Sequence, residues 1–238
     1  MDQGDPLLGR VRLRVHRDDK GMLTRSTMSE DIEVKCRCGA IHGWVRGVSA
    51  QTVNRAVCYC DDCQAFLHYL DRADLFEPHG GTDIVQVAPA SLAFDRGTEK
   101  IAGMRLGPKG LNRWFASCCK TPIGNAMTPA LPFVGLGREA FGELDAARRD
   151  ALFGKAWALM GKYAVGEPPA GSTDVSWRGV AHAVRLVLGW KIRGRGWPHP
   201  FFERDTKAIR YPITVLSKEE RDALRPLCGP HPIRTARA

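Results

Sequence analysis

Along residues 32–128 the apolar positions come in short runs broken by turn residues. Ile41 to Val48, Asp83 to Val87 and Leu92 to Asp95 are each bounded by Gly, Pro, Ser or Asp, the pattern of small twisted sheets. Arg113-Trp114-Phe115 reads as a further strand that runs straight into a cysteine pair. Upstream, Val11, Leu13 and Val15 alternate with arginines, which permits one exposed strand in an N-terminal arm over residues 1–30. Met28 opens the phrase MSEDIEVKCRCGA and is an alternative initiator, so the functional argument does not rest on the residues before it.

After Pro132 the spacing turns helical. Glu139 to Lys162 carries Phe141, Leu144, Leu152, Phe153, Trp157 and Met160 as one apolar stripe. Gly166 to Gly171 contains Pro168 and Pro169 and reads as a loop. A second helix is predicted from about Asp174 to Arg193, capped by Ser172 or Thr173. Ser217-Lys218-Glu219-Glu220 has the S-x-x-E form of a capping box and opens a short last helix. The chain thus divides into the arm, a mainly β domain over 31–130 and a mainly helical C-terminal extension over 131–238, α+β taken together.

Composition adds exclusions. A chain of 238 residues buries about 70% of the surface it exposes unfolded, so a metal is not needed merely for size. No apolar run approaches the ~20 residues of a membrane span; Val180 to Trp190 is short and contains His182 and Arg185. The N-terminus lacks the apolar stretch of a secretory signal. The expectation is a cytoplasmic chain with no membrane partner. The net charge of +9 is dense at Arg10, Arg12, Arg14 and Arg17, and again at Lys191, Arg193 and Arg195 between Trp190 and Trp197. That second cluster admits nucleic-acid binding, but a solvated basic surface or attraction for small anions is the simpler expectation.

The cysteines carry the chemistry. Seven of the eight lie at positions 36, 38, 58, 60, 63, 118 and 119, and in a reducing compartment such clustering points to metal rather than disulfides. In Cys36-Arg37-Cys38-Gly39 the two sulfurs project from one face of extended backbone, and the glycine lets the chain turn away. Cys58-Tyr59-Cys60-Asp61-Asp62-Cys63 packs C-x-C and C-x-x-C into six residues, delivering three thiolates to one point and leaving a fourth tetrahedral position for an outside ligand. A redox C-x-x-C would more usually open a helix in a βαβ setting, and the sequence shows no such setting. Cys118 and Cys119, taken as strand neighbours, point to opposite faces, so one ligates and the other packs or faces the second site; Cys119 is the expected ligand, with Cys118 in reserve. Cys228 reads as a bystander, and His68 and His79 are the histidines to check as replacement ligands. Gly135-Leu136-Gly137-Arg138-Glu139-Ala140 fits G-x-G-x-x-A without a βαβ unit around it, so a dinucleotide site is not expected.

The order C-x-C-G, then C-x-C-x-x-C about twenty residues later, then a late aromatic-cysteine block resembles the glutathione-dependent formaldehyde-activating enzyme and centromere protein V superfamily over about residues 32–128. The resemblance implies a zinc-bound β-tent of several small antiparallel sheets. By it, Cys36 and Cys38 join late cysteines at a structural zinc, while Cys58, Cys60 and Cys63 form an open reactive zinc site for a glutathione adduct. The chain departs where that family has Phe-Cys-x-x-Cys-Gly: here Ala116 stands for the first cysteine and Lys120 for the glycine. The structural site then has three thiolates plus another ligand, is rebuilt around Cys118, or is empty.

The implied activity is that of a carbon–sulfur lyase acting on an S-hydroxymethylglutathione-type adduct, with a glutathione-like thiol as partner and Asp61, Asp62 or His42 as candidate acid/base groups. The alternative is a non-catalytic zinc-stabilised binding module, its three-cysteine site closed by a protein ligand such as Cys118.

Overall fold

The computed structural model describes residues 29–173 and 176–229. The expected strand around Val11 to Val15 lies outside the described residues. Within them, β1 (Glu30–Lys35), β2 (His42–Val48) and β5 (Leu92–Arg96) form an antiparallel sheet in the order β1-β2-β5. The other strands are β3 (Asn54–Cys58), β4 (Thr82–Val87), β6 (Ile101–Arg105), β7 (Asn112–Ala116), β8 (Pro122–Ala126), β9 (Val134–Gly137), β10 (Trp157–Leu159) and β11 (Ile213–Val215). They form one eight-stranded sheet, ordered β10-β3-β4-β9-β8-β7-β6-β11. The protein is mainly β with a few helices, as the sequence predicts. The larger sheet is wider than expected, however, and its two outermost pairs, β10 with β3 and β11 with β6, are parallel.

The two sheets share one apolar core. Val34, Val45 and Leu92 from the small sheet pack in the same cluster as Val85, Trp114, Ile123 and Leu136 from the large one. Phe201 stacks on the Trp114 indole at 4.0 Å with the ring planes 4° apart, and Phe202 meets the same indole edge-on. His199 is buried beside them and accepts the Phe201 amide at Nδ1; burial, with Arg210 nearby, lowers its pKa to about 4 and keeps it neutral. A buried ion pair fixes β3 in place. The Arg55 guanidinium donates to both Asp83 oxygens at 2.7–3.1 Å and reaches Asp150 at 2.7 Å.

The described residues also contain four α-helices: α1 (Asp61–Tyr69), α2 (Ala146–Phe153), α3 (Trp177–Ile192) and α4 (Lys218–Leu224). The helix expected over Glu139 to Lys162 is broken. Asp145 caps α2 through the Arg148 amide, Gly154 ends it at φ 77°, and Trp157 to Leu159 leave as β10. Helix α3 runs over Trp177–Ile192 with Ser176 as its cap, in place of Ser172 or Thr173; the expected start at Asp174 lies outside the described residues. The capping box at Ser217 and Glu220 forms as expected. Trp190 is buried against Ala88 and Leu186, and Trp197 packs against the main core, so the aromatics flanking the second basic cluster are not free to stack on bases. Among the described residues no helix is long and apolar enough to cross a membrane.

Because Trp114 is fully buried between the sheets and pairs with Phe201, Trp114→Ala should destabilise the fold by about 3–5 kcal/mol. A lowered urea midpoint with an unchanged slope would register the loss.

Candidate metal centres

Two groups of cysteines converge. In the first, β1 delivers Cys36 into a turn closed by the Gly39 amide on the Cys36 carbonyl at 2.8 Å, and Gly39 takes φ 73°. The Ile41 amide donates to Cys36 Sγ at 3.3 Å. From the other side β7 ends at Ala116, and residues 117–119 form a turn in which the Cys119 and Lys120 amides both bond the Ala116 carbonyl. Lys120 adopts φ 57°, the left-handed conformation that favours glycine.

The expectation that Cys118 and Cys119 diverge is thereby overturned. They lie in a turn rather than a strand, and both sulfurs reach Cys36 and Cys38. Ala116 faces the core, and Cys118 supplies the extra sulfur. The four sulfurs lie within 4.8 Å of one another. The separations Cys36–Cys38, Cys36–Cys118, Cys38–Cys118 and Cys118–Cys119 are 3.5, 3.9, 3.3 and 3.9 Å. A tetrahedron of metal–sulfur bonds about 2.3 Å long has edges of about 3.8 Å, so this set fits a four-sulfur metal site.

The second group stands at the end of β3. Cys58 is its last residue, and Cys60 caps α1, its sulfur accepting the Cys63 amide at 3.4 Å. Cys63 sits in the first turn of α1, buried. The three sulfurs lie within 4.8 Å of one another. A helix does begin at this C-x-x-C, contrary to the sequence expectation, but the flanking β3 and β4 are antiparallel, so the setting is not βαβ.

Crowding polarises these sulfurs. Hydrogen bonds from the Cys58 and Cys60 thiols, then the Arg113 guanidinium, hold Cys63 well below the ordinary thiol range. Cys58 is pushed up by Cys60 and Cys63, while Cys60 is pushed up to about 12, where the lowering bond from Cys58 is outweighed by Cys63 and burial. Desolvation and the neighbouring thiols push Cys118 up to about 12; Cys119 falls to about 6, where bonds from Thr121 and Cys38 outweigh burial. Each cluster therefore resists carrying all its negative charge at once. A cation removes that resistance, and either cluster could hold a metal ion.

The surroundings of the second cluster were illegible in sequence. Arg113, on β7, is buried, with Nη1 3.8 Å from Cys63 Sγ and its guanidinium 5.5 Å from the Phe66 ring centroid. The C-terminal segment also reaches α1. Arg225 pairs with Asp61 and, at 2.9 Å, with Asp62; Cys228 Sγ lies 3.4 Å from the Asp61 carbonyl; and the Gly229 amide donates to Gln64 at 2.6 Å. Cys228 packs against α1 and joins neither cluster. His42 is held between Glu33 and Asp95, His68 lies against Phe76 and His79 faces the Val165 carbonyl; none of the three joins a cluster. Cys118 belongs to the first cluster and does not close the second.

One cavity borders the first centre, and another lies beside α1. The larger, about 720 Å³, lies against Cys36 among Arg37, Arg72, Arg138 and Arg149. The smaller, about 400 Å³, is lined by Asp62, Lys109, Arg221 and Arg225 beside the start of α1. Protein purified without added metal should carry two ions per chain by elemental analysis. Cys118→Ala should lose one, Cys60→Ala the other, and the double variant both.

No curated protein matches the chain. A crystal structure of a Rhodobacter sphaeroides protein is similar at 15% identity and a TM-score of 0.36, covering 49% of this chain and 93% of that one. This likeness is too slight to bear on function. A family of unknown function, DUF6151, matches residues 28–209, most of the chain and both cysteine clusters, and the protein belongs to that family.

Proposed function

We propose that the protein is a cytoplasmic zinc enzyme of the glutathione-dependent formaldehyde-activating type, making or breaking a carbon–sulfur bond in an S-hydroxymethylglutathione-type adduct. The observation that carries this reading is the unequal division of sulfurs. Four cysteines make one complete tetrahedral set, whereas Cys58, Cys60 and Cys63 bring three donors to a metal that takes four. This is the division the family resemblance implies, with Cys118 standing in where that family's cysteine is Ala116. All-sulfur donors at tetrahedral spacing favour zinc.

Zinc held by the three cysteines would supply a soft electrophilic position suited to a substrate sulfur. The chain's own residues set the charge there. Three thiolates around a divalent cation would carry a net charge of −1, which the buried Arg113 guanidinium would return to zero. Arg113 would thereby lower the desolvation cost of bringing a substrate thiolate to this site. The N-terminus of α1, which opens on Cys60 and Cys63, favours ionised sulfur in the same way. Lys109, in the cavity beside Asp62, is a group of the kind that holds a glutathione carboxylate.

In the forward direction the thiol sulfur bonds to the aldehyde carbon, and the thiol proton ends on the aldehyde oxygen; the reverse step breaks the same bond. Thiol and aldehyde combine without help, so the gain is proximity and orientation. Asp61 and Asp62 are engaged by Arg225, which suits them to holding the rim of the site rather than to moving that proton.

NMR exchange between glutathione, formaldehyde and their adduct tests the proposal. Wild-type protein should accelerate exchange; Cys60→Ala should return it to the uncatalysed rate; Arg113→Met should lower it about 10- to 100-fold. Exchange at the uncatalysed rate by protein carrying both metals would make it a binding module instead.

A further inference from the structure

Helix α3 is apolar on two opposite faces. Gly179, Leu186 and Trp190 are buried toward the sheet, with Leu186 and Trp190 packed on Ala88. At 100° per residue, Trp177, Val180, Val184, Leu188 and Ile192 occupy about a third of the circumference on the far side. These side chains stand in solvent: Trp177 is 76% exposed, Val184 50%, Leu188 53% and Ile192 84%. The ridge runs about 22 Å along the helix axis. A solvated helix face is ordinarily polar, so an apolar ridge of this length needs an occupant.

Charge selects it. Arg178 and Arg185 line one side of the ridge, Lys191 stands near its C-terminal end, and Arg193 and Arg195 follow directly. No Asp or Glu occurs from Trp177 to Phe202. A second copy of the face would set the cations of one helix against those of the other. Exposed apolar side chains, a tryptophan at one end and cations along one side and at the other end are instead the features of a helix lying in a headgroup layer.

We propose that the outer face of α3 docks on an anionic lipid bilayer, with the helix in the plane of the headgroups. Such a helix needs no membrane span, so the absence of one among the described helices is no obstacle.

Vesicle flotation of the full chain tests this. The protein should float with vesicles of phosphatidylcholine and phosphatidylglycerol, not with phosphatidylcholine alone, and binding should fall as salt rises. Leu188→Ser with Ile192→Ser, and separately Arg178→Glu with Arg185→Glu, should each weaken binding by about tenfold or more while unchanged circular dichroism reports an intact fold. A blue shift of tryptophan emission on binding should shrink in Trp177→Phe. Failure to float with the anionic vesicles, or flotation indifferent to both double substitutions, would overturn the proposal. So would a dimer in sedimentation that Leu188→Ser with Ile192→Ser dissolves, since the ridge would then belong to a second copy.

Discussion

Sulfur atoms that can ionise repel one another when confined within 4.8 Å, and that repulsion governs this molecule. Two separate parts of the chain accept the confinement. Each is placed by backbone that has little freedom to relieve it: turns closed by amide bonds at one centre, a strand end and a helix cap at the other. Thiols held so close could hold a metal ion.

The two centres differ in how their charge is met. Around the four-cysteine set two sulfurs are exposed, so water shares the work. At the three-cysteine set Cys63 is buried and the compensating charge is Arg113, brought from β7. Arg55 pairs bidentately with Asp83 and keeps β3, which carries Cys58, in register with β4. Ionic contacts of this kind add little net stability once desolvation is counted, but losing one partner leaves a buried charge unmatched. Their value here lies in fixing geometry.

How much of this could be read from the sequence depended on distance along the chain. The strands around Ile41, Asp83, Leu92 and Trp114 were visible because alternation and turn residues are local signals. The grouping of Cys58, Cys60 and Cys63 was visible for the same reason. Cys118 and Cys119 misled because strand alternation was extended past Ala116 into a turn. Lys120 at positive φ marks that turn, but lysine does not advertise it as glycine would. The helix expected over 139–162 is broken because the Asp145 cap and Gly154, at positive φ, outweigh the apolar spacing that runs through them. Arg113, Arg225 and Cys228 were beyond reach, since their roles depend on residues 50 or more positions away.

The parallel strands β10 and β11 have a consequence for how the protein can be divided. Each covers one side of the large sheet, β10 along β3 and β11 along β6, and Tyr59 gives its amide to the Leu159 carbonyl. A fragment cut near residue 130 would retain both cysteine clusters in its sequence and yet lose β9 from between β4 and β8 as well as β10 and β11 from the rims, leaving β3, β4, β6 and β8 each with an unpaired edge. Such uncovered ribbons recruit strands from other molecules. The later half of the chain therefore supplies both the hem of the sheet and one of its inner seams, and the half that carries the cysteine clusters is not separable from it.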